Sequence, residues 1–194
     1  MHDDFDRFWL LTWTTYGTWL PGDKRGFVSP VSDATLGKRA KHNIIETPYD
    51  ADVPQLRKEA TANLKCAPIY LNLTQAEAIF DQLQETAAHR KWLLLATAIM
   101  RNHVHVVVGV PSDTDPENIL RDFKAYASRR LNKDCPKPAS ETWWTASGSK
   151  RKLPNDQAII DAAAYVRDQS SPLVLWVRDN LAESLGNSNG ERGA

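Results

Sequence analysis

Two histidines one residue apart, His103 and His105, open the run HVHVVVGV. In an extended chain, side chains two positions apart project to the same side. Both imidazoles then face one way, while Val104, Val106, Val108 and Val110 face the other, into a core. Two imidazoles side by side on a strand make half of a site for a divalent metal. A bare HxH also arises as surface or hydrogen-bonded histidines. The valine alternation, and the buried-strand pattern Trp92 to Met100 joined to it through Arg101-Asn102, give this pair a fixed direction in mid-sheet.

A third ligand and a nucleophile must come from elsewhere, and a late helix offers both. On a helix starting after Asn155, residues Ala158, Ala162, Tyr165 and Gln169 fall in one stripe at about 100° per residue. Tyr165 and Gln169 are then surface neighbours one turn apart. Ile159, Ile160, Ala163 and Val166 form the adjoining face that docks on a sheet. A metal near Gln169 would hold a phosphate where the Tyr165 oxygen could attack. The plainer alternative is a tyrosine that packs its ring and wets its hydroxyl, and the residues alone leave both open. Tyr126, in FKAYASRRLN, is the rival nucleophile. Four residues beyond it stands Arg130, whose guanidinium has no lone pair for a metal, so Tyr126 is assigned to packing or to contact with the substrate.

The elements that must position these groups are legible in outline. Phe8 to Tyr16 (FWLLTWTTY) reads as a strand. Asp23 to about Ala67 reads as an irregular insertion, with a short helix near Gln55 to Leu64. Thr74 and Glu77 form a capping box for a helix reaching Arg90, with Ile79, Phe80, Leu83 and Ala87 on one side. Asp115 caps a helix from Pro116 to about Asn132 with the seam Leu120, Phe123, Ala127, Leu131. Glu141 to Leu153 reads as a strand or hairpin. Asn155 caps the late helix through about Gln169, and Leu173 to Val177 reads as an edge strand. The order predicts an α+β fold, a ferredoxin-like sandwich whose mainly antiparallel sheet carries its helices on one face. One domain is expected over 1–183, with a disordered tail at 184–194.

Of the 194 residues, 42% are apolar, enough for a core, and no run is long enough to span a bilayer. No stretch has signal-peptide form, so the chain reads as cytoplasmic, with Cys66 and Cys135 as free thiols. Net charge is zero, but between Ile119 and Lys152 nine basic residues face three acidic ones. Charge gathered this way can form a phosphate-binding face in a neutral protein. Its members include Arg121, Lys124, Arg129, Arg130, Lys133, Lys150, Arg151 and Lys152. Trp143 and Trp144 could stack bases or fill the core.

Taken together, WLLTWTTYG, MRNHVHVVVG, WWTASGSKRKL and AAYVRDQSSPLV resemble the single-tyrosine HUH transposases, and within them the REP-associated tyrosine transposases of IS200-like type. The resemblance covers about Phe8 to Val177. His103-Val104-His105 matches the histidine–hydrophobic–histidine motif. Tyr165 and Gln169 match the late nucleophile and the ligand four residues on, with Tyr165 60 positions after His105. The resemblance implies a metal-dependent single-stranded DNA endonuclease and strand transferase that forms a 5′-phosphotyrosine. Its ion would be Mg²⁺ or Mn²⁺, and its substrate single-stranded DNA with hairpins beside the cut. Family members occur as monomers and dimers, and the longer branch favours a monomer. The 23–67 insertion departs from the compact family core. Two other classes stay open on the sequence: a nucleic-acid-binding module of the same fold without catalysis, and a metal-dependent hydrolase using water, which would need a carboxylate beside the histidines.

Overall fold

A computed structural model describes residues 5–23, 54–179 and 181. The 184–194 tail and most of the 23–67 insertion lie outside the described residues. The elements run β1 (Arg7–Thr14), α1 (Pro54–Ala62), α2 (Leu73–Arg90), β2 (Leu93–Ile99), β3 (His103–Val110), α3 (Pro116–Asp134), β4 (Ser149–Leu153), α4 (Asp156–Arg167) and β5 (Val174–Val177). The strands form one sheet in the order β4-β1-β3-β2-β5. Every neighbouring pair is antiparallel. The fold class is the α+β sandwich expected, with β5 added at one edge.

The sheet buries both faces. On one, α2 and α3 pack their seams against Leu11, Trp13, Val104, Val106, Val108 and Val110. On the other, α4 packs Ile159, Ala162, Ala163 and Val166 against Leu10, Leu95, Ala96, Ala98, Val107 and Leu153. The helices are therefore divided between the faces and not gathered on one. The reason lies in the alternation: β1, β2 and β3 carry apolar side chains at odd and even positions alike, so neither face tolerates water. A helix with a narrow alanine-rich face covers the side where the strands present smaller residues.

Several local readings shift. The capping box of α2 is Asn72 with Gln75, not Thr74 with Glu77. The Leu71 amide donates to the Arg101 carbonyl, so the chain stays extended up to Asn72, and the helix starts there. Asn72 Oδ1 accepts from the Gln75 amide at 2.9 Å, and Gln75 Oε1 accepts from the Asn72 amide at 3.0 Å. Between Glu141 and Leu153 only Ser149–Leu153 is strand. The preceding loop joins the ladder through an isolated antiparallel bridge between Trp144 and Thr15. Gly148 lets that loop lie against β1: a Cβ there would stand 2.7 Å from the Thr12 carbonyl oxygen and 3.0 Å from Leu120. The late helix ends at Arg167, before Gln169.

Candidate active site

β2 and β3 are joined by the two-residue turn Arg101-Asn102, closed by the Met100 amide on the His103 carbonyl at 2.8 Å. This places His103 at the start of β3, opposite Thr14, and His105 opposite Thr12. Both imidazoles lie on the α4 face, since the valines between and beyond them belong to the core under α2 and α3. Their rings meet edge to face, with centroids 4.7 Å apart. The Tyr165 ring stands 5.4 Å from that of His105, again edge-on, while the residue stays 51% exposed. A helix on the opposite face could not make this contact.

Each imidazole is oriented through Nδ1. Thr12 Oγ1 lies 2.7 Å from His105 Nδ1, and Asn102 Oδ1 lies 2.7 Å from His103 Nδ1. With the proton on Nδ1 donated to these oxygens, the lone pair of each ring sits on Nε2, the form in which histidines bind metals. His105 is buried, and burial, then the charge of His103, lowers its pKa from 6.5 to about 4. It is neutral at pH 7, as a ligand must be. Among the described residues no group of three or more His, Cys, Asp and Glu side chains is placed to hold a metal. Gln169 folds its amide back to donate from Nε2 to the Tyr165 carbonyl at 3.0 Å, which satisfies one of the open carbonyls at the end of α4. The side chain is thereby held next to Tyr165, with its amide oxygen not used in that bond. Two imidazoles and an amide oxygen, taken together, would suit a first-row divalent ion.

Thr12 and Asn102 were not singled out in the sequence. A signal existed for Thr12: it and Thr14 interrupt the apolar strand FWLLTWTT at the positions that share a face with the histidines.

A family description of IS200-like transposases matches residues 69–169, just over half of the chain, and these residues include His103, His105, Tyr165 and Gln169. The chain belongs to the IS200-like transposase family. No curated protein matches it. Among solved structures, a REP-associated tyrosine transposase bound to a REP hairpin is similar over 84% of this chain and 66% of its own, at 11% identity and a TM-score of 0.45. A transposase-like protein of Deinococcus radiodurans R1 is similar over 84% of this chain and 92% of its own, at 14% identity and a TM-score of 0.43. The chain thus spans slightly less than two thirds of the first of these.

In this member of the IS200-like transposase family the basic stretch is divided by the sheet. On β4, Lys150 pairs opposite Leu11 and faces α3, whereas Arg151 pairs opposite Leu10 and shares the face of the histidines. Lys150 Nζ lies 2.5 Å from Glu117 on α3. Arg130 is paired with Asp134 at 3.2 Å, and Arg121 reaches Asp122 at 3.4 Å. Arg129 covers the Tyr126 ring at 4.8 Å, which ties that tyrosine to α3, across the sheet from the histidines. Lys133 and Lys152 are exposed. The tryptophans do not offer stacking faces. Trp143 and Trp144 are both buried, and their indole N–H groups donate to Asn132 and to Ser128 with the Lys124 carbonyl. They pin the loop onto α3. Among the described residues no helix is long and apolar enough to cross a membrane.

Lys124 serves that same loop. Its ammonium donates to the carbonyls of Thr145 at 2.5 Å and of Ala146 and Ser147 at 3.2 Å each. Burial, then the nearby Lys150, lowers its pKa to about 8, opposed by Glu117. The folded chain thus releases this proton before the unfolded chain does. Between about pH 8 and about pH 10 the unfolded state binds more protons, so stability rises with pH across that window. The denaturant midpoint of the wild type, measured relative to Lys124→Met, is expected to climb over that range. A difference that stays constant contradicts it.

Proposed function

We propose that this chain cuts and rejoins single-stranded DNA through Tyr165, with a divalent metal at His103, His105 and Gln169. The observation that carries the reading is the Tyr165 ring set against His105 at 5.4 Å while remaining half exposed. A nucleophile must be both next to the ion site and open to substrate, and Tyr165 is both. Among the described residues no carboxylate joins the two histidines in a metal-holding group, so nothing there supports the hydrolase alternative, whose water would need such a base.

Bound there, Mn²⁺ or Mg²⁺ would withdraw charge from the phosphate oxygens and so ease attack at phosphorus. The rest is the work of this chain's residues. Thr12 and Asn102 hold the imidazoles in one tautomer and orientation. Tyr165, fixed by α4 and by its contact with His105, brings its hydroxyl oxygen to the phosphorus. That oxygen forms the new phosphoester bond, and the bond to the 3′-oxygen breaks, leaving a 3′-hydroxyl and a 5′-phosphotyrosine. One phosphoester replaces another, so a 3′-hydroxyl can reverse the step without a nucleotide cofactor. A cut that conserves bond energy in this way suits transposition, or processing of REP-type hairpins. We take the chain to act as a monomer on hairpin-bearing single strands.

Incubation with hairpin-bearing single-stranded oligonucleotides and Mn²⁺ tests the reading on a denaturing gel. A band of protein joined to DNA is expected. Binding without any adduct under Mn²⁺ or Mg²⁺ would leave only the non-catalytic binding module.

Phosphate contacts should come from cations that the structure leaves exposed. Replacing Arg129 and Lys133 by glutamine is expected to weaken single-strand binding and to flatten its dependence on salt. The log–log slope should fall by about 0.7 for each phosphate that is no longer neutralised. Arg130, already held by Asp134, should contribute less. An unchanged slope would make this side of α3 a solvated helix face.

A further inference from the structure

On the face of the sheet that carries the histidines, the antiparallel register sets side chains in rows. One row runs Ser149, Thr12, His105, Ala98 and Leu175 across β4, β1, β3, β2 and β5. The next row begins with Arg151 on β4 and continues with Leu10 on β1 and Val107 on β3. We propose that Arg151 binds the phosphate next to the one being cut, and so sets the register of the DNA strand over Tyr165. The proposal rests on the reading of the chain as a single-strand enzyme.

Position, availability and chemistry each support this contact. Strands about 4.8 Å apart, rising about 3.4 Å per residue, put the Arg151 Cα roughly 12 Å from that of His105. The side chain extends over part of that distance, and the remainder is of the order of the step between neighbouring phosphates in a strand. The two residues of the histidine row nearest β4, Ser149 and Thr12, are small, so no bulky side chain of that row separates Arg151 from His105. Arg151 is exposed, and among the described residues it makes no hydrogen bond, ion pair or ring contact. Cations at the ends of α4 and β5 are already taken. Arg167 is held by Asp168 at 2.8 Å, and Arg178 donates to the Leu94 carbonyl at 3.0 Å. A guanidinium stays charged at every working pH and presents a planar fork that matches phosphate oxygens. Edge strands also carry charges merely to block pairing with another sheet. On β4 Lys150 and Lys152 already supply such charges, and both point to the opposite face, in register with Leu11 and Trp9.

The test uses the full-length protein, Mn²⁺ and hairpin-bearing single-stranded oligonucleotides, each with one uncharged methylphosphonate linkage. Binding is measured for linkages at successive positions, counted from the hairpin and compared with the adduct junction. In the wild-type protein one linkage within two nucleotides of the junction is expected to weaken binding about tenfold or more, the size of a lost hydrogen bond between charged groups. Arg151→Gln should bind the all-phosphate strand as weakly, and should no longer respond to that linkage. Arg151→Lys, which keeps the charge and loses the fork, should recover part of the affinity and part of the response. Lys152→Gln, next in sequence and on the opposite face, should respond as the wild type does. All three variants change exposed side chains, so their unfolding midpoints should stay close to wild type. An Arg151→Gln protein that keeps the full response at every linkage overturns the contact. An adduct at Tyr165 with no linkage that depends on Arg151 overturns the contact alone. A linkage that depends on Arg151, with no adduct, supports the contact and counts against cleavage.

Discussion

Tyr165→Phe is expected to eliminate the covalent protein–DNA adduct while fold and DNA binding stay close to wild type. The substitution removes one oxygen from a half-exposed side chain and leaves the ring that packs against His105. Exposed substitutions that break no packing, cap or buried hydrogen bond change stability by about 0.5 kcal/mol or less. The loss should therefore fall on chemistry alone. Tyr126→Phe provides the contrast. Tyr126 sits on α3, across the sheet from the histidines and under the Arg129 guanidinium, so its variant should still form the adduct. Gel detection of the adduct, with calorimetric or filter binding as the control, distinguishes the two.

The second large effect concerns the histidine pair. Replacing His103 and His105 together by alanine should abolish Mn²⁺ binding and cleavage, because Gln169 would be the one proposed ligand left. The His105 change also strips the Thr12 hydroxyl of its partner on a buried strand, which costs on the order of 1–3 kcal/mol. His103 is less buried, so His103→Ala alone is the cleaner variant for binding. Titration calorimetry with Mn²⁺ on folded protein checks both. Unchanged affinity in the double variant would remove the metal site from the account.

Much of the site is legible in the sequence because strand alternation is a strict rule. Once Val104, Val106, Val108 and Val110 are assigned to the core, His103 and His105 must face the other way, and they do. Helix spacing likewise brings Tyr165 and Gln169 together, although α4 stops two residues short of Gln169 and a side-chain bond completes the turn. The two expectations conflicted on one point. Helices confined to the valine face would have put Tyr165 on the wrong side of the sheet. The structure resolves this by carrying α4 across to the histidine face, a choice of packing partner that local pattern does not encode.

The basic stretch shows the opposite lesson. As a line of text it looks continuous, yet β4 sends Lys150 and Arg151 to different faces, and carboxylates on α3 take up Lys150 and Arg130. Trp143 and Trp144 follow the same logic. Their burial depends on Asn132, Ser128 and Lys124 arriving from α3, a meeting of segments that no local window contains. Thr12 is the case where the signal was present and small: one hydroxyl in an apolar strand, recognisable only once the register across from His105 is known.

The most direct measurement is peptide mapping of the adduct formed by the unmodified protein with a hairpin-bearing single strand and Mn²⁺. Digestion and mass spectrometry locate the residue that carries the 5′-phosphate. DNA is expected on Tyr165, in the α4 peptide AIIDAAAYVR. DNA attached at Tyr126, or at any residue outside α4, would contradict it.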